Sequence, residues 1–266
     1  MIRLDNFCAG YNEMIVKNIT TTFEEKCLYG ILGPNGCGKT TLLRGIMNSG
    51  IKTTGRCIYK QEKAGEEKDL SGMNEKGIAS IISFLPQIID IAVGITVKDV
   101  LRMAFYKDIH WPGTITKDMY EKLVKTASGM GIYGLLDREY MTLSQGQKQL
   151  VLWTRLLLQD TPVVFLDEPD SALDFSRRHE LLLGLKKLTK EGRTGLVVLH
   201  DPAYALNYCD EILIMKEGRI IRKINPAKDT EAEILLCLRE IYPEIMVSRE
   251  TLGYSVWVKE VDFLGK

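Results

Sequence analysis

The stretch CLYGILGPNGCGKTTLLRGI, residues 27–46, decides how the rest of the chain is read. CLYGILG at 27–33 reads as a buried strand entering a glycine turn, and a helix is expected from Lys39. Between them GPNGCGKT, Gly33 to Thr40, fits the pattern G-x-x-x-x-G-K-[ST] in the strand-to-helix setting that its chemistry needs. In Gly33, Pro34, Asn35, Gly36, Cys37 and Gly38 the glycines let backbone N–H groups turn inward on phosphate oxygens, and the helix N-terminus adds partial positive charge. Lys39 then neutralises the β and γ oxygens, and the Thr40 hydroxyl takes a position on magnesium. Thr41 either faces a phosphate or bonds its own helix backbone. The ligand this loop calls for is a nucleoside triphosphate with Mg2+.

Further along, PVVFLDEP at 162–169 is an apolar run that ends abruptly in two carboxylates. Burying Asp167 and Glu168 at a strand end is costly without a cation, so a magnesium neighbourhood is the economical explanation. Asp167 is expected to orient the ion through its water shell, and Glu168 to polarise the attacking water.

Three more pieces complete a series. Gln87 stands in FLPQ, LSQGQKQ at 143–149 opens a long helix, and beyond the acidic pair come SALD at 171–174 and His200 at a strand end. In this order the set resembles the motifs of the ATP-binding-cassette (ABC) ATPases, over nearly the whole chain to about Arg222. The resemblance implies that Gly33 to Thr41 are the Walker A loop and that Gln87 is the Q-loop glutamine, which contacts magnesium and couples to a membrane subunit. It makes Asp167 and Glu168 the Walker B pair with Glu168 as general base, Ser171 to Asp174 the D-loop, and His200 the sensor of the γ-phosphate. Leu143, Ser144, Gln145, Gly146 and Gln147 resemble the LSGGQ signature, which closes on the ATP of a partner copy. Tyr11 resembles the aromatic that stacks on adenine. Two positions depart from the pattern: Gln145 replaces a usual glycine, and Asp170 a usual threonine or serine. Lys39, Asp167, Glu168 and His200 are all present, so a competent ATPase is expected. Cys37, inside the loop, should report the site: alkylation should inhibit hydrolysis and bound ATP should protect.

The remainder of the chain fits an α/β fold of the P-loop NTPase, ABC ATPase type: a mixed sheet core, an antiparallel β subdomain and an inserted helical subdomain. IRLDNF and MIVKNITTTF suggest an antiparallel meander. Residues 55–77 are polar and acid-rich, suggesting a surface excursion before an apolar strand IASIISF. Helical periods dominate from about 88 to 140, giving a helical subdomain of about 88–160 inside a cassette of 1–224. A helix around 145–158, the strand PVVFLD, a helix over 174–190, the strand TGLVVLH and the pair EILIMKEGRII imply a largely parallel, covered sheet. Residues 225–266, with a helix TEAEILLCLREIY and strands EIMVS and YSVWVK, are expected to be a short extension packed on that core.

Composition narrows the partners. Acidic and basic residues balance at 35 each among 266, so no bulk field recruits nucleic acid, and none is expected as partner. The six cysteines show no C-x-x-C pair and no zinc spacing, as expected of reduced cytosolic thiols. No signal peptide and no run of roughly 18 apolar residues is evident, so a role at a membrane requires a separate membrane subunit.

LSQGQKQ, LDEPDSALDF and LHDPAYALNYCDEI are most similar to ATPase subunits of importers for iron-siderophore, haem and cobalamin complexes. That resemblance implies a homodimer closing head to tail on two ATP molecules, separate transmembrane permease subunits and an extracytoplasmic substrate-binding protein. It places the chain in the cytoplasm, peripheral on the inner face of the membrane. Two other readings stay open: the ATPase of an exporter, and a soluble clamp on nucleic acid or the ribosome. Clamps of that kind usually carry a coiled coil or tandem cassettes.

Overall fold

The computed structural model describes residues 1–61, 65–87, 91–109, 113–169 and 173–259. The chain divides into two units, one formed by Met1–Gly72 with Leu182–Lys266, the other by Met73–Leu181.

The first unit opens with β1 (Ile2–Gly10) and β2 (Met14–Phe23), followed by β3 (Leu28–Leu32), α1 (Lys39–Ile46), β4 (Lys52–Lys60) and β5 (Glu67–Asp69). An antiparallel sheet runs in the order β2-β1-β4-β5. Along β1 the buried apolar side chains are Ile2 and Leu4, then Phe7 and Ala9, so the alternation slips by one. Asn6, at φ 47°, takes up the slip as a bulge between Leu4 and Phe7, which keeps the apolar side chains inside. Part of 55–77, expected as a surface excursion, joins this sheet instead. Cys57 and Tyr59 are buried at alternate positions of β4, a period of two obscured by the acidic run after it. Residues 62–64 lie outside the described residues.

In the second unit IASIISF is not one strand. Asn74 accepts a hydrogen bond from the Gly77 N–H at 2.9 Å and caps α2 (Glu75–Ile81), with Glu75 in the first turn. Ile78 and Ile81, three apart, are buried on that helix, and β6 begins only at Ile82 (Ile82–Leu85). The cap and the helical spacing override the β preference of the isoleucines. The helices α3 (Val97–Arg102) and α4 (Lys117–Gly129) start on Thr96 and Thr116, whose hydroxyls accept first-turn N–H groups. Next come α5 (Gln145–Gln159) and β7 (Val163–Asp167), and β7 lies parallel to β6 in the register Ile82↔Val163. Every residue of β7 is buried, as expected of a covered parallel strand.

After α6 (Phe175–Lys190) the first unit continues with β8 (Thr194–Val198), α7 (Pro202–Tyr208), β9 (Glu211–Lys216) and β10 (Arg219–Ile224). There β3 lies between β8 and β9, parallel to both, and β10 returns antiparallel to β9, which makes the sheet mixed. β3 and β8 are buried throughout. Finally α8 (Glu231–Arg239) leads into a hairpin of β11 (Ile245–Glu250) and β12 (Gly253–Val258). The Asn207 side chain holds the Tyr254 main chain on both sides, donating to its carbonyl at 2.9 Å and accepting its N–H at 2.8 Å. Among the described residues no helix is long and apolar enough to cross a membrane.

Candidate functional site

In the first unit the glycine loop leaves β3 and enters α1 with two residues in left-handed conformation, Gly36 at φ 76° and Gly38 at φ 106°. Gly38 is the N-cap of α1, so no cap side chain occupies the first-turn N–H groups, which suits an anion. Lys39 is only 5% exposed, and its ammonium donates to the carbonyls of Gly33 at 2.8 Å and Pro34 at 3.1 Å. The loop thus curls around its own cation. Pro34, Asn35 and Gly36 are exposed, Thr40 is half-buried and Thr41 is buried.

A floor made by the turn between β9 and β10 lies under this loop. Glu217 and Gly218 both have positive φ, 51° and 81°, the signature of a tight two-residue hairpin. The Gly218 N–H donates to the Cys37 carbonyl at 3.0 Å, and its own carbonyl accepts the Lys17 N–H at 2.8 Å. A Cβ on Gly218 would sit 1.8 Å from the Ile15 carbonyl oxygen, and one on Gly33 2.3 Å from that of Met215. Both positions require glycine. The dipeptide EG in EILIMKEGRII is the sequence signal for this turn, but its contact with the loop has none.

Cys37 is 7% exposed. Burial pushes its thiol above the ordinary value, while the Lys39 charge pulls the other way. Alkylation of Cys37, expected to inhibit hydrolysis and to be blocked by bound ATP, must therefore reach a shielded thiol whose thiolate form is disfavoured. Tyr11, in the turn after β1, is 44% exposed, and its hydroxyl accepts a hydrogen bond from Arg44 of α1 at 3.0 Å. Sequence reading did not single out Arg44. His200 follows β8, just after Leu199, whose N–H donates to the Ile31 carbonyl at 3.1 Å. Asp201 then caps α7 by accepting the Ala203 N–H at 2.8 Å.

In the second unit Asp167 ends β7 at 3% exposure. The next residue, Glu168, sits at φ 48°, an uncommon conformation for a side chain of that size. Gln87 follows β6, and its carboxamide donates to the Glu168 carboxylate at 2.5 Å. The parallel pairing of β6 and β7 brings these two together from distant parts of the chain.

Ser144 is the N-cap of α5 in a capping box: its hydroxyl accepts the Gln147 N–H at 3.3 Å, and the Gln147 side chain accepts the Ser144 N–H at 3.0 Å. The Gln147 amide is thus used internally, which leaves the N–H groups of Gln145 and Gly146 as the open donors of the first turn. Gln145 is exposed. Asp170 and Ser171 lie outside the described residues, while Asp174 accepts the Arg177 N–H at 2.9 Å at the start of α6.

Residues 16–171 match the family described as ABC transporter. The chain is 30% identical to the petrobactin import ATP-binding protein YclP of Bacillus subtilis over 244 residues, 91% of this chain and 92% of the relative. It is also 30% identical to the hemin import ATP-binding protein HmuV of Shewanella denitrificans, over 83% of this chain and 87% of the relative. The fold is similar to the dimeric ATP-binding cassette MJ0796 bound to ADP and Pi, with a TM-score of 0.71 at 24% identity over 85% of this chain and 99% of that one. With the motif order, the phosphate loop and the fold in agreement, the chain belongs to the ABC transporter family, as an ATP-binding subunit that hydrolyses ATP.

Proposed function

We propose that this chain is the ATPase of an importer for iron-siderophore, haem or a related metal chelate. Two copies close head to tail on two ATP molecules and drive a separate permease, which an extracytoplasmic binding protein supplies with substrate. The chain works on the cytoplasmic face of the membrane. The observation that carries the ATPase reading is the phosphate loop, in which the Lys39 ammonium lies against the Gly33 and Pro34 carbonyls beside an N-terminus that Gly38 leaves open. The import reading is supported by relatives named for petrobactin and hemin import.

Each residue has a definite task. Lys39 and the loop amides hold the triphosphate, and Tyr11 offers its ring to the base. The donors suited to magnesium are the Thr40 hydroxyl, the Gln87 side chain and the Asp167 carboxylate, all oxygen ligands for a hard cation. Among the described residues no three His, Cys, Asp or Glu side chains gather into a metal cage. An ion held here would keep water and phosphate oxygens in its shell, which is the habit of Mg2+. The ion would neutralise charge on the transferring phosphoryl group. Glu168 accepts a proton from the attacking water, His200 senses the γ-phosphate, and Ser144 with the Gln145 and Gly146 amides meets the ATP of the other copy. Residues 1–224 form the cassette and 225–266 its extension.

The test is to purify the chain with the polytopic protein that accompanies it and to reconstitute both in liposomes. Stimulation of ATP hydrolysis by a chelate-loaded binding protein is the expected result. Outward pumping, or copurification with nuclease-sensitive nucleic acid in place of a permease, would replace the import reading.

A further inference from the structure

We propose that Tyr242, in the segment after α8, is a positioning residue for His200, through which the C-terminal extension sets the rate of ATP hydrolysis. The inference rests on the ATPase reading above. The Tyr242 hydroxyl donates to the His200 backbone carbonyl at 3.1 Å. Just before His200, the Leu199 N–H pairs with the Ile31 carbonyl of β3; just after it, Asp201 caps α7. His200 is thus the step between a sheet bond and a helix cap. A donor on its carbonyl fixes the peptide plane there, and with it the direction in which the imidazole leaves the backbone.

Tyr242 is itself firmly placed. α8 begins with a capping box between Thr230 and Glu233 and buries Ile234 and Leu238 completely. Past its end the Tyr242 N–H donates to the Leu238 carbonyl at 2.9 Å, and the Tyr242 carbonyl accepts the Ile245 N–H at 3.1 Å. Two residues earlier, the Glu240 carbonyl accepts from Lys216 of β9 at 3.1 Å, and its carboxylate pairs with Arg222 of β10 at 3.2 Å. These bonds deliver the phenol to the His200 main chain on a braced turn. Burial, and then the charge of Asp201, raise the phenol above its ordinary value, so it remains a donor at neutral pH. The bond to the His200 carbonyl ties the segment after α8 to the turn between β8 and α7, which the sequence gives no means of seeing.

The experiment uses the full chain with its permease and compares wild type, Tyr242→Phe, His200→Ala and the double variant. Loss of one hydroxyl should lower kcat about 3–10-fold, with the KM for ATP and Tm unchanged. In the His200→Ala background the same change should have no further effect, because the residue acts through His200. An unaltered kcat, or an equal loss in both backgrounds, overturns the proposal; so does a loss that only tracks a lower Tm. Lys39→Ala, run alongside, reads the ATPase assignment by itself. Turnover abolished by Lys39→Ala but untouched by Tyr242→Phe sinks only the present inference, while wild-type turnover no higher than that of Lys39→Ala sinks both.

Discussion

The Gln87 carboxamide donates to the Glu168 carboxylate at 2.5 Å, so the proposed general base is held by the glutamine proposed as a magnesium ligand. Glu168 also sits at φ 48°, where a non-glycine residue is strained by about 1–2 kcal/mol. Two variants separate its contributions. Glu168→Gln should lower turnover about 10²–10⁴-fold and leave ATP binding intact, as read by phosphate release and nucleotide titration. Glu168→Gly removes the carboxylate and relieves the backbone, so it should be equally inactive yet melt no lower than wild type. A clear fall in its Tm would show that the left-handed turn is not strained.

For Cys37 the thiolate is the reactive form, and burial raises the thiol above its ordinary value. Alkylation at neutral pH should therefore be slow, should speed up as pH rises, and should be slowed by ATP. Peptide mapping after timed iodoacetamide treatment would show Cys8, which is half-buried, modified before Cys37. Rapid labelling of Cys37 at pH 7 would contradict the shielding.

The capping box at the start of α5 predicts a split between stability and closure. Ser144→Ala should cost about 1 kcal/mol in denaturant unfolding. Ser144→Asp keeps a cap acceptor and should hold stability near wild type, but it puts negative charge where the partner's phosphate is proposed to lie. ATP-driven dimerisation, followed by light scattering in a Glu168→Gln background, should then be lost.

Much of this was legible before any coordinates. The run into GPNGCGKT, the acidic end of β7 and the helix after Ser144 are local patterns, each in a stretch where propensity, periodicity and motif agree. Misreadings arose where they disagree. Ile78 and Ile81 favour a strand by composition but are drawn into α2 by the Asn74 cap, and the alternation in β4 is masked by the charged residues that follow it. The burial of Cys37, the tie from Arg44 to Tyr11 and the reach of Tyr242 to His200 depend on contacts between distant parts of the chain, which a linear pattern does not carry.

Tyr11 offers the next test. With its ring exposed and its hydroxyl tied to Arg44, Tyr11→Ala should raise the KM for ATP about 3–10-fold, the worth of one aromatic stack, with little change in kcat. Tyr11→Phe keeps the ring and should stay within about twofold of wild type on the same scale. An unchanged KM in Tyr11→Ala would remove this residue from the base platform.

The hairpin glycine beneath the phosphate loop has a bearing on engineering. Because Gly218 bonds the Cys37 carbonyl and leaves no room for a methyl against Ile15, the cradle takes part of its shape from a remote return of the chain. Grafting the eight-letter motif onto another strand and helix would transplant the sequence without its foundation. Conversely, Gly218→Ala, chemically minor and outside every recognised motif, belongs among the inactivating changes when variants of this chain are sorted by severity.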